Sequence, residues 1–262
     1  IGNDVLRRVC DIYIDDIVVY AHTEAELLSN LREVFNKLRD GNVTLRGEKC
    51  VIDVTSMEYL GHHISHGTYS PSLSMTRALL EHPFPPAARG LRSYLGKVIY
   101  FQRFIPHLAT ICAPLHQLAR AAHYRVGVSH TNAFESLKKA LADLPLAHEV
   151  LDDIPIHLES DASNVGIGGY FYQIDPTTQR QRPIGFVSHA FSGASTRWST
   201  IEQEAFAAYY ALLKMKWLVL GRTIHLHTDH KNLTYLLHHP SPKVARWRAY
   251  LQQFHIVVHF IA

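Results

Sequence analysis

The spacing of hydrophobic and polar positions changes several times along the chain, and each change marks an element. Residues 9–21, VCDIYIDDIVVYA, place β-branched and aromatic residues on either side of an acidic turn, which predicts two short strands. From Thr23 the period lengthens. Leu27, Leu28, Leu31, Val34, Phe35 and Leu38 recur at helical spacing, with Thr23 placed to cap the start and Gly41 to close the end. Short strand-like segments follow at 43–45 and 57–65. Pro83, Pro85 and Pro86 then break the chain before a second helical stretch. One side of that stretch carries Leu91, Tyr94, Leu95, Val98, Phe101, Phe104 and Ile105, and Pro106 stops it. A shorter helical stretch at 108–121 is expected to be interrupted by Pro114, and another at 131–143 to be capped by Thr131.

Composition shifts near Leu144–Pro155, which sets the expected domain cut near 150. Three strand candidates follow, at 156–160, 166–173 and 183–189. A strong helix is expected over about 200–218, where Ser199 and Glu202 have capping-box spacing. A fourth strand, 223–228, ends at Asp229; two short helices and a last apolar strand, 255–261, complete the pattern. The order βββαβα predicts an α/β domain that begins with a meander. No repeat or low-complexity tract interrupts it.

A chain of 262 residues can hold two to three small domains. With 47% hydrophobic and 19% charged residues it has globular usage, which excludes a disordered chain. The formal net charge of +3 fits a nucleic-acid enzyme without requiring one, because an acidic metal site would offset a basic face. Cys10, Cys50 and Cys112 are odd in number and far apart, which argues against a disulfide framework or a cysteine zinc site. A reducing, intracellular compartment is therefore expected. No apolar run approaches the ~20 residues of a membrane helix, and no signal-peptide pattern opens the chain. The start lacks Met and enters a strand pattern within a few residues, so the chain is expected to be cut from something longer.

Chemistry enters with the acids. Asp15 and Asp16 sit at a hairpin tip, where adjacent carboxylates crowd negative charge unless a cation or solvent shares it. Asp is a common turn residue, so a bare pair reads as a solvated turn. The same pair suits phosphoryl transfer to a primer end, in which two Mg²⁺ ions about 3.5–4 Å apart are held by oxygen ligands. Further along, Asp161 follows an apolar strand in SDASNVGIGG, and Asp229 ends another in HLHTDH. Strands that deliver acids to one edge of a sheet make a metal site, which an acid from the adjacent helix would complete.

YIDDIVVYA resembles the YxDD box of reverse transcriptases, and the text after it resembles the gypsy class of LTR retrotransposons. Lys49-Cys50 and then Glu58-Tyr59-Leu60-Gly61-His62-His63-Ile64-Ser65 are similar to that family's KC…FLGHxIS stretch, a hairpin that grips the primer end. Leu91-Arg92-Ser93-Tyr94-Leu95-Gly96 through Arg103-Phe104-Ile105-Pro106 resembles its thumb segment, and Ala113-Pro114-Leu115 matches the next box. SDASNVGIGGYFYQ, RPIGFVSHAFS, WSTIEQEAFA and LHTDHKNLTYLL then resemble the ribonuclease H boxes in order. Together these cover nearly the whole chain.

The resemblance implies a partial palm over 1–70, a thumb and connecting helices over 71–150, and a ribonuclease H-like domain over 151–262. The implied class is a multidomain α+β and α/β protein whose last domain has a mixed sheet. It implies an RNA-directed DNA polymerase and a ribonuclease H in the full-length protein, using Mg²⁺ or Mn²⁺. The implied catalytic and metal-binding residues are Asp15 and Asp16 in the palm and Asp161, Glu204 and Asp229 in the ribonuclease H. Tyr13, Leu60 and Gly61 fall on nucleic-acid-binding positions. Implied partners are primer-template and RNA–DNA hybrid, with protease and integrase as neighbouring polyprotein domains and no membrane. The implied location is a cytoplasmic particle and the nucleus. Two parts of the family's pattern fall outside the chain: a palm Asp upstream of YIDD, and a fourth ribonuclease H Asp after the last strand. By this reading both ends are truncated and the chain alone is not a working polymerase. A second class is a non-catalytic remnant that folds and binds nucleic acid.

On a helical wheel Ile201, Ala205, Ala208, Leu212 and the stem of Lys216 form the apolar stripe, and Glu202 and Glu204 flank it at similar angles. Geometry leaves the two open; the resemblance selects Glu204. Gly166, Gly168 and Gly169 fit either close approach to a ligand or a tightly packed strand. His225, His227 and His230 suggest zinc by their HxH spacing, but the resemblance reads their strand as structural, and no Cys is near. Tyr94, Phe101 and Phe104 read as thumb core. Lys97, Arg103, Lys243, Arg246 and Arg248 could contact phosphates or be solvated charges.

Overall fold

In this computed structural model, which describes residues 8–229 and 241–261, the chain divides between Thr55 and Ser56 into two units. In the first, β1 (Cys10–Tyr13) pairs antiparallel with β2 (Asp16–Val19), Tyr13 lying opposite Asp16. Helix α1 (Glu24–Asp40) follows, and the Thr23 hydroxyl accepts the Glu26 N–H at its start. Val9, Cys10, Val34 and Leu38 form a small core over which Ile17 and Val19 pack. Leu28 and Phe35, although on the helical period, are exposed. Gly41 closes α1 as expected, with its N–H on the Lys37 carbonyl, although at φ −83° it does not supply the left-handed residue. Asn42 does, at φ +55°, with its N–H on the Arg39 carbonyl and the Val43 N–H on that of Leu38. That closure uses backbone that a strand at 43–45 would need, and no strand forms there.

The second unit opens with the antiparallel sheet of β3 (Ser56–Tyr59), β4 (His62–Ser65), β5 (Thr68–Pro71) and the short β6 (Ala147–His148). Helices α2 (Leu73–Leu80), α3 (Ala88–Ile99), α4 (Leu108–Arg120) and α5 (Val128–Ala142) share one core centred on Leu91, Tyr94, Phe101, Phe104, Leu115 and Leu137. The aromatic residues of this stretch are thus core, as expected. Pro114 does not interrupt α4. Burial of Cys112, Leu115, Leu118 and Ala119 holds the helix together through it. Thr131 lies within α5, whose cap is Gly127, with the Gly127 N–H donating to Nδ1 of His130.

A five-stranded sheet in the order β11-β10-β7-β8-β9 completes the unit. Strands β7 (Ile156–Ser163), β8 (Gly166–Ile174) and β9 (Gln181–Ala190) form an antiparallel meander. Helix α6 (Thr200–Lys214) and the short α7 (Lys216–Val219) lead to β10 (Thr223–Thr228), which runs parallel to β7. Helix α8 (Pro242–Leu251) precedes β11 (His255–Phe260), which is parallel to β10. The other short helix expected after Asp229 lies outside the described residues. Ile156, Leu158, Phe171, Ile224 and Leu226 face Ala208, Ala211 and Leu212 of α6.

The four-helix part is docked on β9. The Ala109 N–H donates to the Ser188 hydroxyl at 3.0 Å, and the Tyr69 hydroxyl donates to the Ile184 carbonyl at 3.2 Å. The boundaries expected at 70 and 150 both lie inside this unit. The first falls within β5, and the second just after β6, which pairs with β5. The described cysteines are free, and no described helix is long and apolar enough to cross a membrane.

Candidate metal centre

Alternation along β7 buries Ile156, Leu158 and Ser160 and releases Asp161 to solvent where the strand leaves the core. Along β10 the same alternation buries Ile224, Leu226 and Thr228, and Asp229 follows exposed. The two strands pair in parallel with Ile224 opposite Ile156 and His227 opposite Glu159, an offset of 68. The same offset continued by two residues sets Asp229 opposite Asp161. Across them α6 brings Glu204, 2% exposed, whose Oε1 accepts the Ala162 N–H at 3.3 Å. Oxygen atoms of Asp161, Glu204 and Asp229 all lie within 4.8 Å of one another.

The reach of Glu204 depends on a thin helix–sheet interface. Ala205, Ala207, Ala208 and Ala211 are all buried on α6, and a Cβ added at Gly169 would lie 3.1 Å from that of Ala211. Small residues on both sides bring the helix axis close enough for a two-carbon stem to arrive at the sheet edge. Glu202 does a different job. It completes the capping box with Ser199 and accepts from Lys243 at 2.9 Å. Partial burial pulls its carboxyl up, but the Lys243 and Ser199 hydrogen bonds outweigh that and hold it below the usual range.

Three carboxylates brought together present hard oxygen donors and strong mutual repulsion, an arrangement that a divalent cation relieves. The residues present therefore fit a divalent metal. Asp161 and Asp229 open onto a cleft of ≈ 390 Å³ that Glu159, Tyr170, Phe186 and His107 also line. His107 was not legible as a site residue. It comes from the turn before α4, at φ +53°, and a Cβ on Gly168 would meet its ring at 3.6 Å. Gly166 answers to packing: a Cβ there would fall 2.4 Å from the His189 carbonyl oxygen.

The other expected site residues lie elsewhere. Asp15 in the β1–β2 turn and Asp16 at the start of β2 are exposed and belong to no group of three metal-ligating side chains among the described residues. Ile14 before them is 84% exposed at φ +57°, a region β-branched residues avoid, so this turn holds local strain. Tyr13, beside it, is 53% exposed. Leu60 and Gly61 belong to the second unit and form the two-residue β3–β4 turn, both at positive φ as a type I′ hairpin needs. The Tyr100 hydroxyl donates to the Leu60 carbonyl. Of the basic candidates, Arg103 donates to the Tyr69 hydroxyl at 2.7 Å and lies over the Trp217 ring. Lys243 sits over Trp198 as well as bonding Glu202.

Residues 3–64 match the family described as reverse transcriptase (RNA-dependent DNA polymerase). Residues 152–254 match the RNase H-like domain found in reverse transcriptase. The retrovirus-related Pol polyprotein from transposon 297 of Drosophila melanogaster is 28% identical over 261 residues, 98% of this chain and 24% of that protein. The Pol polyprotein from transposon opus of the same organism is 29% identical over 96% of this chain and 27% of its own length. The Tf2-3 polyprotein of Schizosaccharomyces pombe is 27% identical over 95% and 19%. The chain thus spans about a quarter or less of these relatives. Among solved structures, the foamy viral protease-reverse transcriptase in complex with dsDNA superposes with a TM-score of 0.82 at 22% identity, over 99% of this chain and 56% of that one. The same protein in complex with an RNA/DNA hybrid gives 0.81 at 22%, over 98% and 36%. At that identity the likeness establishes the fold. The chain thus carries a reverse transcriptase segment followed by an RNase H-like domain of the kind found in reverse transcriptase, and it is similar over nearly its whole length to retrotransposon Pol polyproteins.

Proposed function

We propose that the chain is the part of a gypsy-class RNA-directed DNA polymerase that runs from the palm turn through the thumb into a ribonuclease H. Its second unit hydrolyses the RNA strand of an RNA–DNA hybrid at Asp161, Glu204 and Asp229. The observation that carries this is the convergence of those three acids, 43 and 25 residues apart in sequence, within 4.8 Å. When bound, a pair of Mg²⁺ or Mn²⁺ ions supplies Lewis acidity at the phosphate and a water of lowered pKa. Asp161 and Asp229 offer their carboxylates from the sheet edge. Glu204 offers its carboxylate from α6, where the Ala162 N–H donates to one of its oxygens and orients the group. Asp15 and Asp16 are assigned the corresponding role at the primer end, and Tyr13, Leu60 and Gly61 contacts to primer or template. Protease and integrase would flank this segment in the polyprotein, which would act in a cytoplasmic particle and in the nucleus.

The test is incubation with end-labelled hybrid in Mg²⁺ and then Mn²⁺. The RNA strand should shorten while the DNA strand stays intact, and Asp161→Asn, Glu204→Gln and Asp229→Asn should each abolish cleavage. Hybrid binding should survive these changes and weaken with salt, since backbone contacts depend on Lys and Arg. Binding without any triad-dependent cleavage, even after the C-terminus is extended through the fourth acid, would instead favour the non-catalytic remnant.

A further inference from the structure

The sheet face turned away from α6 carries four imidazoles from three strands. Parallel pairing sets His225 of β10 opposite His157 of β7, and His227 of β10 opposite His259 of β11. Their rings form a closed quadrilateral. Centroids are 5.0 Å apart for His157–His225, 4.8 Å for His225–His259, 5.0 Å for His259–His227 and 5.1 Å for His227–His157. Two sides are closed by nitrogen–nitrogen contacts: Nδ1 of His157 to Nε2 of His227 at 2.8 Å, and Nε2 of His259 to Nδ1 of His225 at 3.0 Å. All four residues are half-buried, so the ring is open to solvent on one side.

We infer that this quadrilateral is a second cation site, a tetra-imidazole site for a borderline divalent transition metal, of which Ni²⁺ and Cu²⁺ fit best. A square with sides of about 5 Å has its centre about 3.5 Å from each corner. An imidazole bound through nitrogen at about 2.1 Å places its ring centre about 3.2 Å from the ion, so each ring must give up its present nitrogen–nitrogen contact and turn by roughly 45° toward the centre. Four nitrogen donors at the corners of a near-square suit the tetragonal positions that Ni²⁺ and Cu²⁺ prefer over the tetrahedron of Zn²⁺. A neutral imidazole has one protonated nitrogen. On binding, the proton shared within each pair moves to the outward nitrogen of its own ring, so no proton is lost from the rings. All-nitrogen donors discriminate against Mg²⁺, which prefers oxygen and sheds its water reluctantly. The inference is independent of the nuclease reading, because it uses none of the three acids.

The experiment is calorimetric titration of the untagged chain with NiCl₂ in excess Mg²⁺, beside Cu²⁺ electron paramagnetic resonance. Wild type should bind one tight equivalent, and the Cu²⁺ spectrum should carry hyperfine coupling to three or four nitrogens. His157→Gln and His259→Gln, on opposite flanks of the ring, should each lower Ni²⁺ affinity about ten-fold or more. His123→Gln, exposed and outside the cluster, and Asp161→Asn should leave it unchanged. Circular dichroism checks each fold, and His225→Gln replaces any ring variant that fails to fold. Unchanged affinity in either ring variant, coupling to two or fewer nitrogens, or loss of the tight equivalent in Asp161→Asn would each overturn the assignment.

Discussion

Glu204→Gln should make the protein more stable without divalent metal and less responsive to it. The glutamate is 2% exposed, and its oxygens share a 4.8 Å cluster with those of Asp161 and Asp229. Each like-charge pair at that separation opposes folding by about 0.9 kcal/mol at the dielectric of water and about 3.5 kcal/mol at an effective value of 20. Both aspartates are exposed, so the lower figure governs, and the two pairs involving Glu204 sum to about 1–2 kcal/mol. Glutamine keeps the carbonyl oxygen that accepts the Ala162 N–H, so the hydrogen bond is conserved while the charge goes. For a unit of this size the gain is about 3–6 °C in Tm. Wild type should recover about 1.4 kcal/mol in Mg²⁺ at ten times its Kd, whereas the variant should not. Differential scanning calorimetry in EDTA and in Mg²⁺ reads both effects. A variant no more stable than wild type in EDTA, or equal Mg²⁺ responses, would refute the crowded-acid argument.

Glu202→Gln should spare hybrid cleavage that Glu204→Gln abolishes, because Glu202 is occupied by Ser199 and Lys243; equal loss in a gel assay would contradict the assignment. Gly61→Val should lower stability by about 1–3 kcal/mol, from left-handed backbone at φ +73° and a Cβ 2.7 Å from the Met75 sulfur. The denaturant midpoint checks this, and Gly61→Asn should be milder. Burial, reinforced by His227, His225 and His259, lowers the His157 pKa to about 4. The unfolded ring, near its ordinary 6.5, then binds a proton that the folded one refuses, so stability present above pH 6.5 is lost as pH falls towards 4. After discounting for its partial exposure this is about 1–2 kcal/mol. His157→Gln should flatten the chemical-denaturation profile over that range, and a wild-type profile rising towards pH 5 would contradict the sign.

Local signals were legible where the residues that decide an element are neighbours in sequence. Thr23 capping α1 and the Ser199–Glu202 box are of this kind. Ser72, whose hydroxyl accepts the Met75 N–H, is an equally local signal for α2, masked by the serines around it. What escaped depends on distant partners. Pro114 reads as a break until the core beneath α4 is known. Glu202 and Glu204 are equivalent on a wheel, and Lys243 of α8 helps to fix Glu202 away from the cluster. The HxH of His225 and His227 was visible, but its partners His157 and His259 are brought in by strand register alone.

The parallel pairing of β7 with β10 also has a kinetic meaning. Asp161 and Asp229 become neighbours only once the meander and α6 have been laid down between them, so the ligand set does not exist in any locally folded intermediate. A metal that binds such a set cannot guide early folding. Its stabilisation falls on the unfolding limb, and Mg²⁺ should lengthen the native lifetime while leaving the refolding rate nearly unchanged. The ion would act as a late-fitted latch: it closes a structure already made and slows its opening.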